Sequence, residues 1–237
     1  MPLPRRHALS LAAALAFCLS SPARAQLGLS VSADTDYRYR GVSLSDGRPD
    51  VSLNVTYDDR SGVYAGATAI AAEGVHGSAR ILGYIEYIGF SEPVSRDISW
   101  DVGVNNSSIS QRPHNNYNID YVETFTGITA RDVDVHVYYS PNYLGDGFGA
   151  VYLDLNGAVR PAPGWRLFAH AGVLTPLRDS GEQRARREYY DLRAGVAAAF
   201  KSFEVQLAWT STRPSFSYPP GIRQKQDALV FGASYFF

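Results

Sequence analysis

The chain has 237 residues, with 22 Lys and Arg against 23 Asp and Glu, a net charge of −1. That balance offers no basic surface for nucleic acid, and a single cysteine, Cys18, excludes a disulfide framework and a thiolate metal site. Mean hydropathy is slightly negative at −0.18. No apolar run reaches the roughly 18 residues of a spanning helix, so a place in a membrane would require a closed barrel.

Residues 1–25 read as a secretory signal peptide that is cleaved. Arg5, Arg6 and His7 form a basic head, an apolar run follows, and Ala23-Arg24-Ala25 is an A-x-A site before Gln26. Cys18 lies inside the apolar run, and Phe17 occupies the position where a lipobox wants a small residue. Removing the three arginines of this leader takes the net charge to −4 and leaves no cysteine. An exported domain of this length builds its core without disulfides.

Residues 26–237 show no domain boundary and no 3.6-residue pattern. They predict one domain, an all-β transmembrane antiparallel up-and-down β-barrel of about twelve strands. Alternation places the strands over 27–42, 50–58, 62–72, 79–90, 97–106, 117–129, 132–140, 148–159, 164–174, 188–200, 203–212 and 226–237. Most match the ~9–11 residues that a tilted spanning strand needs, where globular strands average ~5–6. Short connections alternate with long ones. The layout predicts tight periplasmic turns, including Asp59-Arg60-Ser61 and Lys201-Ser202, and longer extracellular loops, including 107–116 and 175–187. The prolines of this region fall in connections or at strand ends, where no ladder bond is lost.

The two faces of each strand differ in chemistry. Over 203–212, Phe203, Val205, Leu207 and Trp209 alternate with Glu204, Gln206, Ala208 and Thr210. Over 132–140, Val133, Val135, Val137 and Tyr139 alternate with Asp134, His136, Tyr138 and Ser140. Aromatics cap the apolar faces: Tyr57, Trp100, Tyr139, Trp165, Phe203, Trp209 and Tyr235. They predict two girdles bounding a lipid-facing band, with the polar faces turned to a lumen. In the last strand Leu229, Phe231, Ala233, Tyr235 and Phe237 share one face. The Phe231, Tyr235 and Phe237 pattern resembles the C-terminal signal read by the barrel-assembly machinery.

A charge on the lipid face is costly, so ionisable residues are assigned inward. Asp34, Asp36, Arg38 and Arg40 line the first strand; Glu86 points in with Tyr84, and Glu123 with Tyr121 and Phe125. Asp101, Asp134, His136 and Asp154 continue the wall, followed by Arg166, His170, Asp191, Arg193 and Glu204. Opposite charges facing across water would give a narrow pore its selectivity; paired off, they would form a sealed lumen. Twelve strands lie between the ~8 of filled barrels and the ~16–18 of open ones, and both outcomes stay open here.

The histidines His76, His114, His136 and His170 accompany no G-x-S-x-G elbow and no H-E-x-x-H pair. No catalytic residue, metal or cofactor is expected. The stretch Asp36-Tyr37-Arg38-Tyr39-Arg40-Gly41-Val42-Ser43, followed by Asp46-Gly47-Arg48-Pro49, resembles the opening motif of the TorF-like porin family, uncharacterised outer-membrane barrels of proteobacteria. Gly62-Val63-Tyr64-Ala65-Gly66, Tyr121-Val122-Glu123 and Tyr190-Asp191-Leu192 extend the resemblance. It implies an outer-membrane barrel with a pore role and supplies no substrate.

The expectation is therefore an outer-membrane channel for passive diffusion of small hydrophilic solutes. Its partners would be membrane lipid and lipopolysaccharide. The alternative is a non-conducting barrel acting in adhesion, envelope structure or lipopolysaccharide contact, and behind it an outer-membrane hydrolase. Arg178, Arg184, Arg186 and Arg187 suit phosphate in lipopolysaccharide contact. A loop with Pro214, Phe216, Tyr218, Pro219 and Pro220 is expected to cover part of the mouth.

Overall fold

The computed structural model describes residues 26–74, 77–110, 118–145, 147–177, 188–213 and 226–237. The leader, His76, His114, the four loop arginines from Arg178 to Arg187 and the loop 214–225 lie outside them. Twelve antiparallel strands close into a barrel. They are β1 (Gln26–Asp34), β4 (Asp50–Asp58), β5 (Val63–Glu73), β6 (Ala79–Pro93), β7 (Ile98–Ser110), β8 (Asn118–Ala130), β9 (Val133–Ser140), β10 (Ala150–Ala162), β11 (Trp165–Pro176), β12 (Tyr189–Phe200), β13 (Phe203–Arg213) and β14 (Asp227–Phe236). A small hairpin, β2 (Arg38–Tyr39) with β3 (Val42–Ser43), leaves the wall between β1 and β4. Each wall strand pairs with its neighbours in the chain, and β1 closes on β14 with Ser32 opposite Ser234. Closure leaves the barrel wall without a free edge, which a membrane would not tolerate.

The period-two pattern explains why these segments are strands. Val133, Val135 and Val137 of β9 are exposed on the outside, while Asp134, His136 and Tyr138 face in. β-branched residues suit that pleated, one-sided environment. The outer belt continues through Leu53, Leu155, Leu167, Leu207 and Phe231, all exposed. Among the aromatics expected at its rims, Tyr57, Trp100, Trp165, Phe203 and Tyr235 lie toward the short-turn end, and Tyr139 and Trp209 toward the other. An exposed apolar belt of this kind is the surface of a spanning barrel. Gln26 and Phe237 both lie at the short-turn end.

Two expectations fail. The first strand does not run to residue 42: β1 stops at Asp34, and the excursion that follows brings residues 36–41 into the lumen. Asp36, Arg38 and Arg40 are therefore lumenal, but they sit on an inserted hairpin and not on the wall. The second failure is Glu86. Pairing of β5 with β6 shifts between Ile70/Ala71 and Gly83/Ile81, so Leu82 is a bulged extra residue. Leu82 and Gly83 are both buried, and Tyr84 and Ile88 then emerge outside at 46% and 57% exposure. Glu86 shares their face and points outward, as does Tyr84, while Ile85 and Tyr87 line the lumen. One inserted residue inverts the parity of everything after it.

Candidate functional site

The inserted hairpin is built around Asp36. Its Oδ1 accepts hydrogen bonds from Ser43 Oγ, from Ser45 Oγ at 3.0 Å and from the Gly47 amide at 3.2 Å. Its Oδ2 takes Arg38 Nε at 2.7 Å, and Arg38 Nη1 donates to the Gly41 carbonyl at 2.8 Å. Ser45 Oγ also accepts the Tyr37 amide at 2.9 Å. Arg40 and Gly41 form the tip, with φ of 48° and 75°. Two positive φ values make a type I′ turn, which is why glycine is required beside the arginine. A methyl group on Gly41 would also collide with Asp191 and Thr212, so the tip touches β12 and β13.

Arg40 fastens the opposite side. Its Nη1 and Nη2 donate to Glu123 of β8 at 2.9 and 2.7 Å, a bidentate pair in which both side chains are buried. Asn105 of β7 donates to the same carboxylate at 3.4 Å. The guanidinium lies 4.0 Å from the Tyr152 ring centroid, 5.1 Å from Tyr39, 5.2 Å from Tyr138 and 5.8 Å from Tyr143. Such stacking suits arginine, whose planar cation is weakly hydrated. Burial alone would lower the Arg40 pKa, but Tyr39 and Glu123 outweigh it and hold the group above its ordinary range. Burial also pushes up the Tyr37 and Tyr143 phenols, so both stay neutral hydroxyls. Apolar packing completes the fixture: Tyr39 and Leu44 rest on Tyr121, Tyr143, Phe148, Tyr152 and Tyr189, and Tyr37 on Ile70 and Leu82.

Below the hairpin the wall carries a polar network. His136 bridges Asp101 at 3.1 Å and Asp134 at 3.3 Å, one carboxylate for each ring nitrogen. His170 repeats the arrangement with Asp191 at 2.7 Å and Asp154 at 3.0 Å. Tyr152 donates to Asp191 at 3.1 Å, Tyr64 to Asp101 at 2.5 Å, and Asn156 to Asp134 and Asp154 at 3.0 Å. Around the wall, Arg166 pairs with Glu204 at 2.6 Å and Gln206 donates to Asp34 at 3.4 Å. Large side chains lie flat over glycines of adjacent strands. A Cβ at Gly195 would strike the Phe168 ring, and one at Gly172 the Tyr152 hydroxyl.

A cavity of about 1050 Å³ results. Arg131, Asp132 and Arg160 border it near the short turns; Arg38, Arg40 and Gly41 border it at the hairpin. Of the residues expected to line a pore, Asp34, Asp36, Arg38, Arg40, Asp101, Asp134, His136, Asp154, Arg166, His170, Asp191 and Arg193 do line this cavity. Glu123 and Glu204 face inward beneath Arg40 and Arg166, and Glu86 faces out. The tyrosine cage of Tyr39, Tyr138, Tyr143 and Tyr152 was missed. Its signal was the excess of Tyr at inward positions, although nothing local marks Tyr143 as a member.

A closed twelve-stranded barrel with an apolar exterior and a charged lumen has the fold of bacterial outer-membrane barrels. The sequence matches the Gcw_chp family, described as bacterial protein of unknown function, over residues 20–230, and the chain belongs to that family. The family description names no activity and no TorF-like relationship. No curated protein matches the chain. Among solved structures, the NanC porin superposes with a TM-score of 0.60 at 9% identity, covering 87% of this chain and 98% of that one. The outer membrane channel DcaP of Acinetobacter baumannii gives 0.43 at 10% identity over 90% and 97% of the two chains. An anion-selective porin from Comamonas acidovorans gives 0.41 at 8% over 91% and 100%. The likeness to NanC is one of fold.

Proposed function

We propose that this protein is a narrow outer-membrane pore through which small hydrophilic solutes diffuse passively, with the Asp36–Gly47 hairpin as its constriction. The observation that carries the reading is the charged cavity running from the short turns to the hairpin inside a lipid-facing belt. Charged walls in a narrow bore sort solutes by charge and size. The TorF-like motif coincides with the hairpin, and in this reading it is the constriction itself. Residues 1–25 direct export and are cleaved. Phe231, Tyr235 and Phe237 present the last strand to the barrel-assembly machinery, and lipopolysaccharide surrounds the extracellular rim. His136 and His170 hold the wall and perform no catalysis.

The aromatic packing around Arg40 favours one competing reading, a non-conducting barrel that works through its extracellular loops. Planar-bilayer recording of the detergent-folded protein separates the two. Discrete current steps that grow when Arg40 becomes Ala support the pore with its hairpin constriction. A folded barrel that stays silent, with and without Arg40→Ala, defeats it.

A further inference from the structure

Among the described residues, six arginines line the cavity. Five of them are committed to carboxylates: Arg38 to Asp36, Arg40 to Glu123, Arg131 to Asp97, Arg160 to Asp132 and Arg166 to Glu204. Arg193, on β12, forms no ion pair among the described residues, and its buried Nε has no hydrogen-bond partner. Directly across the strand pair stands Thr210 of β13, whose buried Oγ1 is likewise without a partner. Both border the cavity. The two atoms therefore stand on neighbouring strands at one place in the cavity wall.

The surroundings define what would satisfy them. The Arg193 guanidinium lies 5.3 Å from the centroid of Phe168, whose ring also meets the Arg166 guanidinium at 5.0 Å. Phe168 borders the cavity and offers an apolar surface beside the two donors. The facing charges are Asp34, which attracts Arg193 and accepts Gln206, and Arg166, which repels it and is occupied by Glu204. His170, the cross-strand neighbour on β11, is held between Asp154 and Asp191. One uncommitted cation, one hydroxyl and one aromatic face therefore remain.

We propose that Arg193, Thr210 and Phe168 form a binding station for a small organic monocarboxylate passing through the lumen. The proposal rests on the pore reading and names the solute class. The carboxylate accepts from the Arg193 guanidinium and the Thr210 hydroxyl, the geometry at which arginine excels. The apolar part of the solute lies against Phe168. A dianion is disfavoured because among the described residues no second uncommitted cation lies beside Arg193, and the remaining lumenal carboxylates repel it.

The test uses benzoate as the probe, with its neutral isostere benzamide. In planar bilayers, benzoate should interrupt the current through the wild-type barrel, and benzamide should not. Arg193→Gln should weaken the block about tenfold or more, the scale of one charge-assisted hydrogen bond, and Thr210→Val about threefold. Equal action of benzoate and benzamide, or a block unchanged in Arg193→Gln, overturns the station. A barrel that never conducts defeats the pore reading without deciding this one. Calorimetric titration of the folded barrel with benzoate then decides it: binding that Arg193→Gln weakens about tenfold supports the station, and no binding overturns it. Thr210→Val, which changes no charge, serves as the second variant should Arg193→Gln fold poorly.

Discussion

The two halves of the lumen are made from the same inward-facing polar pattern, yet one is filled and the other is open. Toward the long loops the hairpin crosses the bore, and nearly every polar group it brings is satisfied. Asp36 accepts from Ser43, Ser45, Gly47 and Arg38, and Arg40 meets a carboxylate and four tyrosine rings. Toward the short turns no segment of the described residues lines the cavity except the wall and its turns, and side chains such as Phe168 lie flat over Gly195 instead of reaching across. Alternation decides which face is polar. What fills the space behind that face depends on whether a segment leaves the wall, and on whether glycines make room for the large residues that stay in it.

The largest expected effect tests the filled half. Glu123 is 2% exposed, and Arg40→Ala leaves it Asn105 as its one partner among the described residues. Removing one member of a buried ion pair costs about 3–5 kcal/mol. The urea midpoint of the folded barrel should fall accordingly, and single-channel conductance should rise as the hairpin loosens. The double change Arg40→Met with Glu123→Met should recover most of the midpoint, because replacing both partners with apolar groups is often close to neutral. A single variant with an unchanged midpoint would show that the hairpin is not fastened by this pair.

The open half answers to a smaller change. Gly195→Leu would drive a side chain into the Phe168 ring and the Leu207 carbonyl. Overpacking of this kind costs about 1–3 kcal/mol. The displaced ring should narrow the cavity, so conductance should fall where Arg40→Ala raises it. Opposite signs of conductance change from two destabilising substitutions would separate the two halves. The same sign in both would refute the division.

This contrast also explains what was legible beforehand. In β13 alternation alone assigns the polar and apolar faces residue by residue, because the strand is regular and paired on both sides throughout. Asp36, Arg38 and Arg40 keep a perfect dyad and look like wall, since an inserted hairpin has the same period as the strand it leaves. The turn dipeptide Arg40-Gly41 and the serines at 43 and 45 were the local signs of an excursion. Alternation alone puts Asp134 near His136 and Asp154 near His170, but the second carboxylate of each bridge, Asp101 and Asp191, depends on which residues the strand register makes neighbours. Tyr143 joins the cage from a connecting loop, a long-range contact without a local pattern.

Glu86 gives the smallest expected effect and tests the outer face against the inner one. It is the eighth of fifteen residues in β6, with Tyr84 and Ile88 on its own face and Ala67 and Asn106 as cross-strand neighbours. The assumption that carboxylates avoid lipid placed it inside, but Gly83 in mid-strand marked a bulge that reverses the facing. An acidic side chain in the lipid belt is tolerated at less than the roughly 2–4 kcal/mol charged to lysine or arginine. Glu86→Leu should therefore stabilise the barrel by about 1 kcal/mol, read as a higher urea midpoint in lipid bilayers, with conductance unchanged because the residue does not meet the bore. A changed conductance would mean that β6 faces the other way. A lower midpoint would mean that the carboxylate has a partner beyond this chain, and the outer wall at β5–β7 would then be a contact surface within the membrane.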